Sequence, residues 1–254
     1  MVALHSQPVD KDEQSVLNAL DVLECLMREE EVEVGDIAQR LGVSENITRR
    51  LLNTMCVREL AKRNPDTDRY QLGTHLVELG QMASDRFPLR RAAQPLLEEL
   101  RRVSGLSVHL TVPDGADVVF VERLKYVTGV GLMTDSGPRM PSHATSAGKV
   151  LAAFDPAVEQ ARKAAGFPAV TPRTISTAAD FDRALSEVRR TGVAVSVSES
   201  HCQLTSVAAP VRDFCGRAYA AISVVGPDSE FSDVGRAARL VITATAKLGQ
   251  ALGR

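Results

Sequence analysis

The tightest constraint on this chain is a joint of four residues. Leu41-Gly42-Val43-Ser44 separates two stretches of helical spacing and leaves room only for a sharp turn between them. Before the joint, Val34, Ile37 and Leu41 form the apolar stripe of a short helix. Within it, Gly42 is a helix-ending residue and Ser44 a helix-starting one. A third helix is therefore expected from Ser44 to about Leu60. Upstream, Val16, Leu20, Leu23 and Met27 recur at steps of four, three and four. That spacing predicts a first helix over 14–28 that buries those four, followed by a solvated acidic turn at Glu29, Glu30, Glu31 and Glu33.

The third helix carries two chemistries. Ile47, Leu51 and Met55 form an apolar line at a spacing of four. Beside it, Asn46, Arg49, Arg50 and Asn53 recur at i, i+3, i+4 and i+7. Arginine and asparagine have the donor geometry that fits base edges and phosphates, and a helix of about 10–12 Å diameter fits the major groove. Two short extended runs follow, 60–63 and 69–73, separated by Asn64-Pro65-Asp66-Thr67-Asp68, which reads as a β-hairpin. Helix, helix, turn, helix and hairpin over 10–73 describe a winged helix-turn-helix.

Net charge bears on this reading only when resolved by segment. Thirty basic residues against thirty-two acidic ones give −2, which excludes a histone-like or ribosomal coating of nucleic acid. Residues 10–36 hold ten acids and two bases, a net of −8, whereas 49–63 hold five bases and one acid, a net of +4. Positive charge is concentrated where a phosphate backbone would lie.

Several classes drop out. Cys25, Cys56, Cys202 and Cys215 are too scattered for a zinc site, and the five histidines form no HxH or HExxH, so no metal and no cofactor are expected. The longest apolar run, 218–226, is half of what a membrane span needs, and no signal peptide is evident, so a cytoplasmic protein without membrane contact is expected. GxGxxG, GxxxxGK[ST] and GxSxG motifs are absent, which leaves an enzyme fused to a DNA-binding module as a poor alternative.

With 254 residues, the chain has room for a second domain. A linker helix is expected over 74–88, carrying Leu76, Leu79, Met82 and Ala83, and a further helix over 89–103 opens a domain at 89–254. Strands are expected at 107–112, 117–122, 127–133, 193–197, 206–211 and 218–225, and helices at 144–154, 156–165, 181–191 and 234–252. Hairpins flanked by helices indicate an α+β sensor-like domain. An effector-independent DNA binder would not need it.

Four stretches together resemble the IclR-type bacterial transcriptional regulators. They are SVLNALDVLECL with DIAQRLGVSENITRRLLNTM, RYQLGTHLVELG, RMPSHATSAGKVLAAF, and GVAVSVSESHCQLTSVAAPVRDFCGRAYAAISVVGP. The resemblance implies a winged helix-turn-helix, a linker helix, and a GAF/PAS-like effector domain with a mixed sheet and flanking helices. It also implies a homodimer or homotetramer on a double-stranded, pseudo-palindromic operator, answering to a small-molecule effector such as an organic acid or aromatic catabolite. Carried over, Ser44, Asn46, Thr48, Arg49, Arg50 and Asn53 face DNA, with Lys62, Arg63 and Arg69 as wing contacts. The effector pocket draws on Met140, Thr145, Ser146, Ala147, Ser196, Leu204, Ser206 and Ser223. Two positions depart from the family pattern: Ser196, where some members have an acid, and Gln203, where glycine is common. His143, beside a helix start, reads as structural.

Overall fold

A computed structural model describes residues 11–126, 137–231 and 233–253; the strand expected at 127–133 lies outside them. The chain separates into two units, residues 1–86 and 87–254.

In the first unit, α1 (Lys11–Leu26), α2 (Val34–Leu41) and α3 (Glu45–Val57) precede β1 (Ala61–Arg63), β2 (Tyr70–Leu72) and α4 (His75–Asp85). The joint turns because Gly42 takes φ +68, a conformation costly for other residues, and its N–H caps the carbonyls of Ala38 and Gln39. Val22, Leu26, Ile37, Leu52, Met55 and Tyr70 form the core. β1 and β2 pair antiparallel from Ala61↔Leu72 to Arg63↔Tyr70.

Two helices bury a different face from the one expected. In α1, Val16, Leu20 and Met27 stay 53–61% exposed, while Asn18, Val22, Cys25 and Leu26 are buried. In α3 the buried line is Thr48, Leu52 and Met55, and Ile47 is 45% exposed. Each helix carries a second face, two residues out of phase in α1 and one in α3, and packing chose that one. α4 buries no residue at all, leaving Val77, Leu79 and Met82 exposed.

The second unit runs α5 (Pro88–Ser104), β3 (Ser107–Asp114), β4 (Asp117–Leu124), β5 (Arg139–Pro141), α6 (Ser146–Phe154), α7 (Pro156–Ala165), α8 (Ala178–Thr191), β6 (Ala194–Val197), β7 (Leu204–Arg212), β8 (Ala218–Pro227) and α9 (Val234–Ala251). The strands form one sheet in the order β5-β4-β3-β8-β7-β6. The α+β class with hairpins flanked by helices is as expected, and among the described residues the sheet is antiparallel in every pairing. Tight hairpins join β3 to β4 and β7 to β8, and such turns can only return the chain antiparallel.

Helices cover both faces of this sheet. Val108, Leu110, Val207, Ala209, Ile222 and Val224 share a core with α5 and α9. On the other face, Val118, Ala208 and Ala221 pack with α6 and α8. A doubly covered sheet should be apolar on both faces. His109, Thr111, Ser206 and Ser223 break that rule, being polar and buried on the α6 side. Among the described residues, no helix is long and apolar enough to cross a membrane.

Candidate functional site

On α3, Asn46, Arg49, Arg50 and Asn53 form one exposed strip, as their spacing requires. Ser44 starts the helix, its Oγ accepting from the Ile47 N–H at 3.4 Å. Thr48 does not belong to the strip: it is fully buried, and its hydroxyl donates to the Ser44 carbonyl at 3.2 Å. Four residues separate the two, so the hydroxyl turns back along the helix instead of outward. Ile47 takes an exposed place beside the strip.

The wing is more committed than its composition suggests. Lys62, Arg63 and Arg69 are all exposed. Arg63 pairs with Asp68 across the hairpin, and that hydrogen bond holds the Asp68 carboxyl below the usual carboxylate range. Arg69 donates to Glu33 at 2.7 Å. Arg49 lies 3.5 Å from Glu45 on its own helix.

In the second unit, seven of the eight residues expected at an effector pocket line one cavity: Met140, Thr145, Ser146, Ala147, Leu204, Ser206 and Ser223. The volume open to the centre of a water molecule is about 50 Å³, several times the roughly 10–15 Å³ that one water requires. Three parts build it. β4, β3 and β8 align Arg123, His109 and Ser223 in one row across the sheet. α6 brings its first turn, where Thr145 caps the Gly148 N–H at 2.9 Å. Ser200, His201 and Leu204 close the side.

Close backbone packing sets the α6 start. A Cβ on Gly148 would stand 2.1 Å from the Ser142 carbonyl oxygen, so only glycine lets the preceding turn fold under the helix. The Ser146 and Ala147 amides occupy first-turn positions that lack an intrahelical acceptor, at the positive end of the helix dipole. Ser146 Oγ donates to Ser206 Oγ at 2.8 Å, tying helix to sheet. The cavity therefore offers donors: amides, hydroxyls and the Arg123 guanidinium, which stacks 4.0 Å over Phe120. Burial lowers the His109 pKa to about 3, with the Arg123 charge acting in the same direction, so its imidazole is neutral.

Ser196 is the exception. It sits on β6, one strand beyond its partner Ser206, and its Oγ points to the Ala144 carbonyl at 3.5 Å. It supports the main chain behind the pocket. Spacing missed His109, Phe120, Arg123, Ser200, His201 and Val225, which also line the cavity. One signal was available: Ser107, His109 and Thr111 alternate with Val108 and Leu110.

The side wall is braced from outside. Lys149, 3% exposed, pairs with Glu199 at 2.6 Å and donates to the Val195 carbonyl at 3.2 Å. Burial pushes the Lys149 pKa down, opposed by the Glu199 charge. Thr171 and Thr174 donate to the Ser198 and Glu199 carbonyls, each at 2.7 Å. Ser198 and Gln203, both at positive φ (56 and 63), shape the segment between them. Asp228 holds its base through Ser198 at 3.0 Å and Thr205 at 2.6 Å. Gln203 thus stands in a conformation that favours glycine.

A winged helix-turn-helix followed by a sheet covered on both faces, with a cavity against α6, defines a DNA-binding regulator with a second, cavity-bearing unit. Residues 15–65 match the IclR helix-turn-helix domain, and residues 81–249 match the C-terminal domain of the IclR bacterial transcriptional regulators. The chain belongs to the IclR family. It is 30% identical over 223 residues to the HTH-type transcriptional regulator XynR of Escherichia coli, covering 87% of this chain and 88% of that one. Over 242 residues it is 30% identical to the glycerol operon regulatory protein of Streptomyces griseus, covering 95% of each. Among solved structures, an IclR transcriptional regulator from Alicyclobacillus acidocaldarius superposes with a TM-score of 0.81 at 26% identity, covering 94% of this chain and 98% of that one. An IclR homologue from Microbacterium hydrocarbonoxydans, complexed with 4-hydroxybenzoate, superposes with a TM-score of 0.80 at 25% identity, covering 94% and 99%. These relatives are named as regulators, a role without catalysis.

Proposed function

We propose that this regulator is controlled by a small anionic effector bound between α6 and the sheet of its second unit. The observation that carries the reading is a row of polar residues, half-buried Arg123 and buried His109 and Ser223, facing the α6 amides across one cavity. Donors gathered around buried space favour an acceptor-rich guest, and a carboxylate at a helix N-terminus is the simplest one. The narrow volume suits a compact organic acid. The homologue complexed with 4-hydroxybenzoate, a small aromatic carboxylate, supports the same chemistry.

In this reading Asn46, Arg49, Arg50 and Asn53 meet base edges and phosphates, and Lys62 meets the backbone. Exposed apolar faces on α1 (Val16, Leu20) and α4 (Val77, Met82) support a homo-oligomer, which would present two recognition helices to a pseudo-palindromic operator in the cytoplasm. The effector would shift the balance between states of different operator affinity, through its different affinity for each.

Thermal-shift measurements with a panel of small carboxylates, 4-hydroxybenzoate included, test the cavity. A ligand at a hundred times its Kd stabilises the unit that binds it by about 2.7 kcal/mol. That gain should vanish in Ser223→Leu, which fills the cavity. A carboxylate that stabilises the protein and its Ser223→Leu variant equally would place the effector elsewhere.

A further inference from the structure

The acidic loop between α1 and α2 does more than connect them. Val32 and Tyr70 exchange two backbone hydrogen bonds, both 2.9 Å, and both residues are almost fully buried. The loop is therefore tied to the wing by a single antiparallel β-bridge, held there by main chain and core packing, not by its charges. This places two carboxylates on the wing. Glu31 accepts from Asn64 at 2.5 Å and Thr67 at 2.9 Å, closing the hairpin turn. Glu33 accepts from Arg69 at 2.7 Å.

We propose that Glu33 is a specificity-determining residue of the DNA-binding unit: it occupies Arg69 and so restrains binding to duplex of unmatched sequence. The proposal rests on the reading of α3 and the wing as the DNA-facing surface. Sequence-independent affinity comes from cations that neutralise phosphates and release counterions, each steepening the slope of log affinity against log salt by about 0.9. A guanidinium already neutralised by a carboxylate must exchange it before it contributes. Exposed ion pairs are weak, so a phosphate held in register by base contacts can displace Glu33. On unmatched sequence nothing fixes the phosphate, and the internal carboxylate keeps its place. Of the five cations on the α3 strip and wing, Arg49, Arg63 and Arg69 have carboxylate partners within 4.0 Å. Arg50 and Lys62 carry the unmatched-sequence contacts.

The test is fluorescence anisotropy of the full-length protein on a short labelled duplex of arbitrary sequence, across a salt series. Glu33→Gln should bind several-fold tighter at low salt, with a slope steeper by about 0.9, one added phosphate contact. Arg69→Gln should leave the wild-type slope unchanged, and should return Glu33→Gln to it in the double variant. Glu33→Asp, which keeps the charge, should behave as wild type. The proposal is overturned if Arg69→Gln alone flattens the slope by about 0.9, since Arg69 would then already hold a phosphate. Weaker binding by Glu33→Gln also overturns it, because Glu33 would then support the wing instead of restraining its charge. Arg50→Ala is the separate control: an unchanged slope there would sink the reading of α3 itself.

Discussion

Both units pair basic with acidic side chains, and one pair in each lies at an opposite end of the solvent scale. Arg69 and Glu33 on the wing have side chains 45% and 57% exposed, whereas Lys149 and Glu199 beside the cavity are 4% and 13% exposed. Water screens the first pair and makes it exchangeable, which suits the proposed DNA-facing surface. The second pair has given up its hydration and has only its partners, which suits a wall that must hold a cavity open. One kind of contact therefore serves two purposes, and burial decides which.

Removing one partner of the buried pair is the hardest way to break that contrast. Lys149→Met should destabilise the second unit by about 3–5 kcal/mol, because Glu199 is left desolvated and uncompensated. Lys149→Met with Glu199→Leu should recover most of the loss, since a buried pair replaced by apolar groups is often neutral. Denaturant unfolding of the single and double variants measures both. Equal losses in the two would show that Lys149 acts through the Val195 carbonyl and not through the charge pair.

His109 should show the next largest effect, and only in acid. Its pKa is lowered from 6.5 to about 3 by burial, so the folded protein keeps it neutral where an unfolded chain protonates it. Between those values the unfolded state binds more protons, and stability falls as pH drops from 6.5 towards 3. Above 6.5 the group contributes no pH dependence. Replacing it by glutamine should flatten the slope across that window by up to about 1.4 kcal/mol per pH unit. Unfolding midpoints at a series of pH values check this, and a slope unchanged in His109→Gln would show that the imidazole is hydrated.

The two units also differ in how much of them could be read from residue order. The joint at Gly42, the exposed α3 strip and the wing are local features, each fixed by neighbours within a few positions. What failed there was helical phase: Val16, Leu20 and Ile47 were expected inside and lie outside, because each helix carries a second face that packing chose. The cavity was legible mainly through family resemblance. Its row Arg123–His109–Ser223 exists only through strand register, which joins residues up to 114 positions apart (223 − 109). Ser196 shows the same limit: it is on the correct face and one strand too far out.

On the exposed side, the effects move from stability to affinity. Arg49→Ala and Arg50→Ala should each cost about 1–3 kcal/mol of operator binding if they contact bases, and relax discrimination at one position. Neither should alter the unfolding transition, since both side chains lie on the surface. An electrophoretic shift unaffected by the two together would remove α3 as the reading element.

The smallest contrast compares one device in two settings. Ser44 caps α3 at the surface with a long bond of 3.4 Å, and Thr145 caps α6 in the interior at 2.9 Å. Losing a cap costs about 0.5–2 kcal/mol. Ser44→Ala should fall at the lower end, because water can replace the hydroxyl at an exposed helix start. Thr145→Ala should reach the upper end, because the Gly148 N–H is left buried without an acceptor. Glycine at position 44 separates the cap from a DNA contact, since it replaces serine in a cap at a loss of only a few tenths of a kcal/mol. If Ser44 also touches phosphate, Ser44→Gly will lower operator affinity while barely changing stability. If it only caps, both quantities will stay close to wild type, and Asn46 becomes the first residue of the recognition strip.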